Sequence, residues 1–272
     1  MCRCKWGEKV KLIFTDLDGT LLDHDTYSFD EAKEALCLLK KADIPVIINS
    51  SKTKAEILGI RKALGIDQSP FIVENGGGIY FPGHFPFDDL KQIDGFYRHK
   101  IGKSHEKILA FFEKVKERYD MVGFHQMSIA EIAKQTNLSV KQAQQAKERD
   151  FSEPFTLGRP DLLKELASEA RAENMHVTMG GRFYHLVSNK QDKGVALLAT
   201  KSIYEAMLNE KVETIALGDG ENDYSMLFNC DHPVVVPTSG GEYHNTTIAG
   251  HIKAGYPGPK GWNRVVKELI YA

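Results

Sequence analysis

The sequence lacks the features that would assign it to a membrane, secreted or P-loop class. No apolar run in its 272 residues approaches the roughly 18 residues that a membrane span needs, and its first residues carry no signal-peptide stretch. The phosphate-binding pattern GxxxxGK[ST] is absent. Basic charge is not in excess either, since 35 Lys and Arg stand against 37 Asp and Glu, a net charge of −2. We therefore expect a cytoplasmic protein with neither a membrane nor a nucleic acid as partner.

Cysteine is also scarce. The chain has four cysteines, at positions 2, 4, 37 and 230. Cys2 and Cys4 form a Cys-x-Cys pair, but no group of Cys or His with zinc-site spacing accompanies them. We therefore expect reduced thiols rather than a zinc site or a disulfide framework. The composition is otherwise that of an ordinary globular protein, with 42% hydrophobic and 26% charged residues.

Short apolar segments alternate with helical patterns at both ends of the chain. The predicted buried strands lie in residues 10–16, 44–50, 71–81, 214–223 and 233–237. Their continuous apolar character is typical of a parallel sheet that is covered by helices on both faces. We therefore predict an α/β fold with a Rossmann-like parallel core, in which the ligand site lies beyond the carboxyl ends of the strands.

The middle of the chain has a different pattern and is predicted to be an insertion. An amphipathic helix begins near residue 104, and Gly180 and Gly181 separate two strand-like segments, which indicates a hairpin. We predict a smaller α+β domain over residues 88–189, inserted into a core formed by residues 1–87 and 190–272.

Two segments have two interpretations each. Residues 128–150 resemble a DNA-binding helix-turn-helix, but they occur once, in a slightly acidic protein, so two short helices of the inserted domain are the simpler interpretation. Gly76–Gly78 indicate either a tight turn or bulge, or a place where the backbone comes close to a substrate.

Polar side chains at the predicted strand ends indicate phosphoryl transfer. A group of acids needs a counter-charge, and Mg²⁺ is the natural choice because it prefers oxygen ligands and keeps waters for a phosphate. In this hypothesis Asp16 is the nucleophile and a metal ligand, while Asp18 is the acid and base, and its carbonyl can also reach the metal. Ser50 offers a hydroxyl to the phosphoryl group, and Lys193 supplies a positive charge against its oxygens. Asp219 binds the metal, while Asn222 and Asp223 bind it or hold its waters.

These motifs, in this order, resemble those of the haloacid dehalogenase (HAD) superfamily. The resemblance rests on "DLDGTLL", the serine that ends the second strand, the separate lysine and "GDGEND". Finer segments, among them "VENGGGIY", "FSEPF", "GGRFYHL" and "PGPKGWN", resemble the mannosyl-3-phosphoglycerate phosphatase family over nearly the whole chain from about Val10. The insertion resembles the α/β cap of the HAD subgroup that contains sugar phosphatases.

The resemblance implies an activity and a set of cap residues. It implies a Mg²⁺-dependent phosphatase that acts on a small phosphorylated sugar-glycerate, releasing mannosylglycerate through an aspartyl-phosphate intermediate. It also implies that Lys52 lies near the substrate and that Glu153, Arg182 and His185 face the site from the cap. An arginine suits such a substrate because it can hold a carboxylate with two hydrogen bonds.

Other functions remain open at this point. A phosphatase for the glucosyl ester, a sucrose-type or broad sugar phosphatase, and a phosphomutase share the same scaffold. A binding protein with a silent HAD site is a further alternative, although an intact Asp18 argues against it, since a silent site needs no acid and base. The sequence does not predict the oligomeric state.

Overall fold

The computed structural model describes residues 10–87, 92–180 and 183–271. Within these ranges the chain forms thirteen strands and nine α-helices. The strands are β1 (Val10–Thr15), β2 (Val46–Asn49), β3 (Phe71–Val73), β4 (Gly78–Pro82), β5 (Gln92–Ile93), β6 (Phe96–Lys100), β7 (Met121–Gly123), β8 (Ser152–Leu157), β9 (Met175–Gly180), β10 (Phe183–Ser188), β11 (Val212–Gly218), β12 (His232–Val235) and β13 (Ile252–Lys253).

In the first and last parts of the chain the helices alternate with the strands, as the sequence pattern predicted for those parts. They are α1 (Lys33–Lys41), α2 (Lys54–Ala63), α3 (His105–Tyr119), α4 (Ile129–Thr136), α5 (Val140–Lys147), α6 (Leu163–Ala172), α7 (Lys193–Leu208), α8 (Tyr224–Phe228) and α9 (Gly258–Tyr271). None of the helices in the described ranges combines the length and the apolarity that crossing a membrane requires.

The larger sheet contains nine of the described strands, in the order β13-β12-β11-β1-β2-β3-β4-β6-β5. The six strands from β13 to β3 are mutually parallel. Side chains of β1 alternate between two buried clusters: Ile13 packs into one, Leu12 and Phe14 into the other. Helices α1, α2 and α9 cover the first face, and α7 and α8 cover the second. Because both faces are covered, the strands are continuously apolar.

A second sheet, with four of the described strands in the order β7-β8-β10-β9, is entirely antiparallel. Helices α3 and α6 pack on it through a separate buried cluster that includes Phe112 of α3, Phe155 of β8 and Leu166 of α6. Helices α4 and α5 are the two short helices expected for residues 128–150. Each begins at a serine capping box, formed by Ser128 for α4 and by Ser139 for α5.

The larger sheet extends further along the chain than the sequence suggested. Residues 92–100, which were predicted to belong to the insertion, form β5 and β6 at the edge of the larger sheet, where β6 pairs with β4 and β5 pairs with β6. The sequence pattern alone did not distinguish an antiparallel edge of one sheet from the start of another. The division of the chain into domains at residues 88 and 189 stays a prediction.

Gly76–Gly78 make room for other parts of the protein. A Cβ atom on Gly76 would lie 2.1 Å from the backbone oxygen of Asp192. A Cβ on Gly77 or Gly78 would lie within 3 Å of the ring of Phe151. This segment is a turn that connects β3 to β4, and Phe151, which is only 1% exposed, packs against it. The glycines therefore allow close packing between the larger sheet and the residues just before β8.

Candidate active site

The two aspartates of the first motif follow the carboxyl end of β1, on either side of a buried leucine. Asp16 continues the ladder, because its backbone N–H donates to the carbonyl of Leu217 in the neighbouring β11 at 3.0 Å. Leu17 points into the hydrophobic core and is fully buried. Leu17 thus anchors the motif in the core, while the carboxylates beside it contact different lysines: Asp16 contacts Lys193 and Asp18 contacts Lys52.

Three carboxylates converge at this edge of the sheet. Oxygen atoms of Asp16, Asp219 and Asp223 all lie within 4.8 Å of one another. The chain after β1 comes close to this group, because a Cβ on Gly19 would lie 2.5 Å from Asp219 Oδ2. The Thr20 hydroxyl donates a hydrogen bond to Asp219 Oδ1 at 2.8 Å and so orients that carboxylate. Sequence reasoning did not assign Thr20 a role, although it is part of the quoted "DLDGT" motif.

Lys193 lies between two of these acids at the start of α7. Its Nζ atom is 2.7 Å from Asp16 Oδ1 and 2.6 Å from Asp223 Oδ1, and the residue is 1% exposed. Burial by itself would lower the pKa of Lys193, but the charges of Asp16 and Asp223 outweigh it and raise the pKa above the ordinary value. Lys193 is therefore held as an ammonium ion inside the site.

The three carboxylates carry more negative charge than one lysine can balance. Burial, aided by the charge of Asp16, raises the pKa of Asp219 to about 6. Burial also raises the pKa of Asp223 to about 7, against the opposing effect of Lys193. Three carboxylates against one ammonium leave an excess of negative charge in a low-dielectric place. An all-oxygen donor set with this excess fits a hard divalent cation such as Mg²⁺.

Asp18 lies outside the three-acid group and pairs with Lys52 instead. Its Oδ2 is 2.7 Å from Lys52 Nζ, while its Oδ1 is buried and has no hydrogen-bond partner among the described residues. Burial raises the pKa of Asp18 above its ordinary value, although Lys52 acts in the opposite direction. A carboxyl group that retains its proton more readily than usual is suited to protonate a leaving group.

Ser50 and Asn222 occupy neighbouring loops. Ser50 follows β2, is 1% exposed, and its hydroxyl accepts a hydrogen bond from the Lys52 N–H at 3.3 Å. Asn222 lies in the turn after β11, and its amide donates to Asn75 Oδ1 at 3.4 Å. The structure thus brings Asp16, Lys193 and the two acids of the last motif into one group, with the side chain of Asn222 directed to a neighbouring loop.

The cap residues suggested by the resemblance have different environments. Glu153 is fully buried, and its carboxylate is 2.6 Å from His105 Nε2 and 2.8 Å from His125 Nδ1. Burial by itself would raise the pKa of Glu153, but the hydrogen bonds from His105 and His125 lower it below the ordinary value. His185 is half-buried on β10, opposite Pro154. Arg182 lies outside the described residues.

His105 and His125 were not singled out from the sequence. Each is about one-fifth exposed at its side chain, whereas the carboxylate between them has no exposure. In this cluster the two histidines are therefore the solvent-accessible polar groups, and Glu153 orients them from below the surface. No local signal in the sequence connects positions 105, 125 and 153, because the contact depends on how α3, β7 and β8 pack.

Comparison with known proteins agrees with this geometry. The profile of the family described as haloacid dehalogenase-like hydrolase matches residues 13–242. The chain belongs to the haloacid dehalogenase-like hydrolase family.

Relatives of this haloacid dehalogenase-like hydrolase extend over almost the whole chain. It is 41% identical over 261 residues to a glucosyl-3-phosphoglycerate/mannosyl-3-phosphoglycerate phosphatase of Persephonella marina, covering 95% of this chain and 97% of that protein. A phosphatase of the same description from Methanococcoides burtonii is 38% identical over 266 residues, again covering 95% of this chain and 97% of the relative.

A solved structure shares the fold. A haloacid dehalogenase-like hydrolase from Bacteroides thetaiotaomicron aligns with a TM-score of 0.68 at 16% identity, covering 96% of this chain and 100% of that one. The predicted family and the predicted α/β core are therefore confirmed. The prediction that the protein is a phosphoric monoester hydrolase is confirmed by the family and by the two phosphatase relatives.

Proposed function

We propose that this hydrolase is a Mg²⁺-dependent phosphatase that removes the phosphate from mannosyl-3-phosphoglycerate or its glucosyl counterpart. The observation that supports the chemistry is the buried group formed by Asp16, Asp219, Asp223 and Lys193. The names of relatives that align with 95% of the chain support the substrate class.

In the proposed reaction, Asp16 attacks phosphorus and the bond to the sugar-glycerate oxygen breaks. Asp18 gives its proton to that oxygen as it leaves, and an aspartyl phosphate remains on Asp16. Asp18 then takes a proton from a water molecule that attacks this phosphorus, which releases inorganic phosphate and restores both carboxyl groups. Lys193 and Ser50 donate hydrogen bonds to the transferring phosphoryl oxygens.

The metal would be held by Asp16, Asp219 and Asp223, with the Asp18 carbonyl and Asn222 as further oxygen ligands or holders of its waters. When bound, Mg²⁺ supplies positive charge that offsets the repulsion between the carboxylates and a phosphate dianion. The protein contributes the fixed positions of the acids, with Thr20 orienting Asp219 and the Gly220 N–H donating to Asp223 Oδ2 at 3.0 Å.

The glycerate part of the substrate carries a carboxylate, which needs its own cation. We assign Lys52 to this role because its Nζ already contacts a carboxylate, that of Asp18, at the edge of the site. Arg182 and His185 remain proposed partners from the cap, with His105 and His125 oriented by Glu153. Such remote contacts can orient the phosphate for attack, so that a truncated substrate loses kcat as well as affinity.

The test is turnover on a panel of phosphate esters with and without Mg²⁺. The panel contains mannosyl- and glucosyl-3-phosphoglycerate, 3-phosphoglycerate and a hexose phosphate. We expect a glycosyl-3-phosphoglycerate to have the highest kcat/KM and activity to require the metal. Preference for the hexose phosphate would replace this proposal with a broad sugar phosphatase, and transfer of the phosphate to another sugar would indicate a mutase.

The nucleophile is tested by Asp16→Asn. We expect kcat to fall by at least about 10⁴-fold, as for loss of one member of a catalytic unit. Asp25→Asn is the matched control, because Asp25 lies in an exposed loop a few residues away. Retention of a tenth of the activity by Asp16→Asn would contradict the assignment.

A further inference from the structure

A cavity of about 540 Å³ lies between helix α2, which packs on the larger sheet, and helix α5. One wall is the loop after β1, a second is α2, and the third is α5 with the turn before it. The lining residues on which the argument depends are Tyr27, Phe29, Glu56, Gly59, Gln142 and Gln145. Its volume is within the range of roughly 300–1,000 Å³ that is usual for small-molecule sites.

The cavity begins at the catalytic motif. Lys52 is one of its lining residues, and the Nζ of this lysine is 2.7 Å from Asp18 Oδ2. Leu22, another lining residue, makes backbone hydrogen bonds with Leu17 and Gly19, the two neighbours of Asp18. Glu56, in the first turn of α2, also lines the cavity. A ligand whose phosphate lies against Asp16 can therefore extend past Asp18 into this space.

The lining has the chemistry of a carbohydrate site. Tyr27 and Phe29 offer aromatic surface, and Tyr27 is 47% exposed. A carboxylate from Glu56 and the amides of Gln142 and Gln145 are within the same lining. A sugar ring has an apolar C–H face and an edge of hydroxyl groups, so it is suited to aromatic surface on one side and polar acceptors and donors on another.

Gly59 adds no side chain to the cavity wall formed by α2. It lies inside α2, where glycine is one of the least favourable residues because it leaves the backbone unrestrained. A Cβ atom added at Gly59 would meet no heavy atom within 4 Å, so packing in the protein does not require a glycine there. Gly59 is exposed and lines the cavity, so a larger side chain at this position has room to extend over it.

Helix α5 forms the opposite wall and is fixed to the core. The Thr53 hydroxyl donates to the carbonyl of Gln145 at 2.8 Å, and the Gln145 amide donates to the carbonyl of Ala55 at 3.2 Å. The second helix of the segment that resembles a helix-turn-helix thus lies across the start of α2. The motif alone did not indicate that Gln145, on the polar face of α5, contacts the core.

We propose that this cavity binds the sugar ring of the substrate. Helix α5 forms one wall of the cavity, and Gly59 on the opposite wall leaves room for the ring. The inference depends on the proposed function, since it assigns the glycosyl group of a glycosyl-3-phosphoglycerate to the cavity and leaves the phosphate at Asp16. Lys52 is then at the junction between the glycerate carboxylate and the sugar.

The decisive variant is Gly59→Leu in the full-length enzyme. We measure kcat/KM for glycosyl-3-phosphoglycerate and for 3-phosphoglycerate, which is the same ester without the sugar. The ratio of the two values should fall by about 10- to 200-fold, as expected when a few methylene groups intrude on a binding pocket. Lys62→Leu is the matched control, because it adds the same side chain to an exposed position of α2 that does not line the cavity; it should leave the ratio unchanged.

Tyr27→Leu tests the same cavity by removing a contact, and it is informative even if Gly59→Leu folds poorly. We expect this variant to lower the ratio of kcat/KM for the glycosyl ester to kcat/KM for 3-phosphoglycerate. We also expect weaker inhibition by unphosphorylated glycosylglycerate. If the wild type does not prefer the glycosyl ester to 3-phosphoglycerate, the proposed function itself fails. If it does prefer that ester and both variants keep the wild-type ratio, the sugar lies elsewhere and only the cavity assignment is overturned.

Discussion

Glu74 accepts a hydrogen bond from the Ser152 hydroxyl at 2.5 Å, which joins the larger sheet to the first residue of β8. The same carboxylate accepts from the backbone N–H groups of Asp150 at 2.8 Å and Phe151 at 3.1 Å. The carbonyl of Glu74 accepts from the Gln191 amide at 2.6 Å. Glu74 is 2% exposed, so one buried residue contacts both the start of β8 and the segment after β10, where the chain returns to the larger sheet.

Replacing Glu74 should therefore loosen the attachment of the second sheet. Glu74→Ala leaves three buried donors without their acceptor, and we expect the free energy of unfolding to fall by about 2–4 kcal/mol. Chemical denaturation measures this change. Glu117→Ala on the exposed face of α3 is the control and should change it by less than about 0.5 kcal/mol. Equal effects of the two variants would show that the Glu74 contacts do not stabilise the protein.

Asp18→Asn should slow the first half-reaction to a degree that depends on the leaving group, and it should slow the second half-reaction with every substrate. A sugar-glycerate alkoxide needs a proton as it leaves, whereas p-nitrophenolate needs little help. In single-turnover kinetics, the first step should slow more with the glycosyl ester than with p-nitrophenyl phosphate. Hydrolysis of the aspartyl phosphate should slow with both substrates. An equal decrease of the first-step rate with the two esters would contradict the role of Asp18 as the acid.

Lys193→Met should make the folded protein depend more strongly on a divalent cation. Without the ammonium group, Asp16 and Asp223 lose their buried partner, and removal of one partner of such a pair destabilises a protein by about 3–5 kcal/mol. We expect a lower Tm in EDTA and a larger increase on addition of Mg²⁺ than in the wild type, since bound ligand stabilises only the folded state.

The control for this variant is Lys201→Met on the same helix. Lys201 pairs with Asp231 at 2.8 Å in a partly exposed place, and such pairs contribute at most about 1 kcal/mol. Its Tm in EDTA should stay close to that of the wild type. A Tm of Lys193→Met that responds to Mg²⁺ no more than the wild type would contradict a metal site beside Lys193.

His176 should make the stability of the protein decrease in mild acid. Burial lowers the pKa of His176 below its ordinary value of 6.5, although Asn189 and Asp192 act in the opposite direction. Below pH 6.5 the unfolded chain therefore takes up a proton that the folded protein binds less readily. This contribution to stability is present above pH 6.5 and is lost as the pH falls toward the folded pKa.

The measurement is the free energy of unfolding between pH 7 and pH 5 for the wild type and His176→Gln. The wild-type slope should exceed that of the variant, by at most about 1.4 kcal/mol per pH unit for one proton. Met179→Gln on the same strand is the control, because it introduces the same side chain at an exposed position without removing a titratable group; it should keep the wild-type slope. Identical slopes for the wild type and His176→Gln would rule out this contribution.

The sequence by itself determined the family, the parallel core and the order of the motifs. These features have local signals: apolar runs that end in Asp or Ser, the capping box of Thr53 and Glu56, and the apolar face of α3. Such patterns depend on residues within a few positions of each other, and the structure has the predicted elements in the predicted order.

Only the tertiary structure decided how distant segments meet. The Glu74 contacts join residues 76 to 78 positions apart, and the Glu153 carboxylate meets His105 across 48 positions. The antiparallel pairing of β4 with β6, the cavity beside Lys52 and the open space at Gly59 likewise depend on how whole elements pack. Periodicity fixes which face of an element is buried, but it does not specify the partner that buries it, because any apolar surface of similar shape satisfies the same pattern.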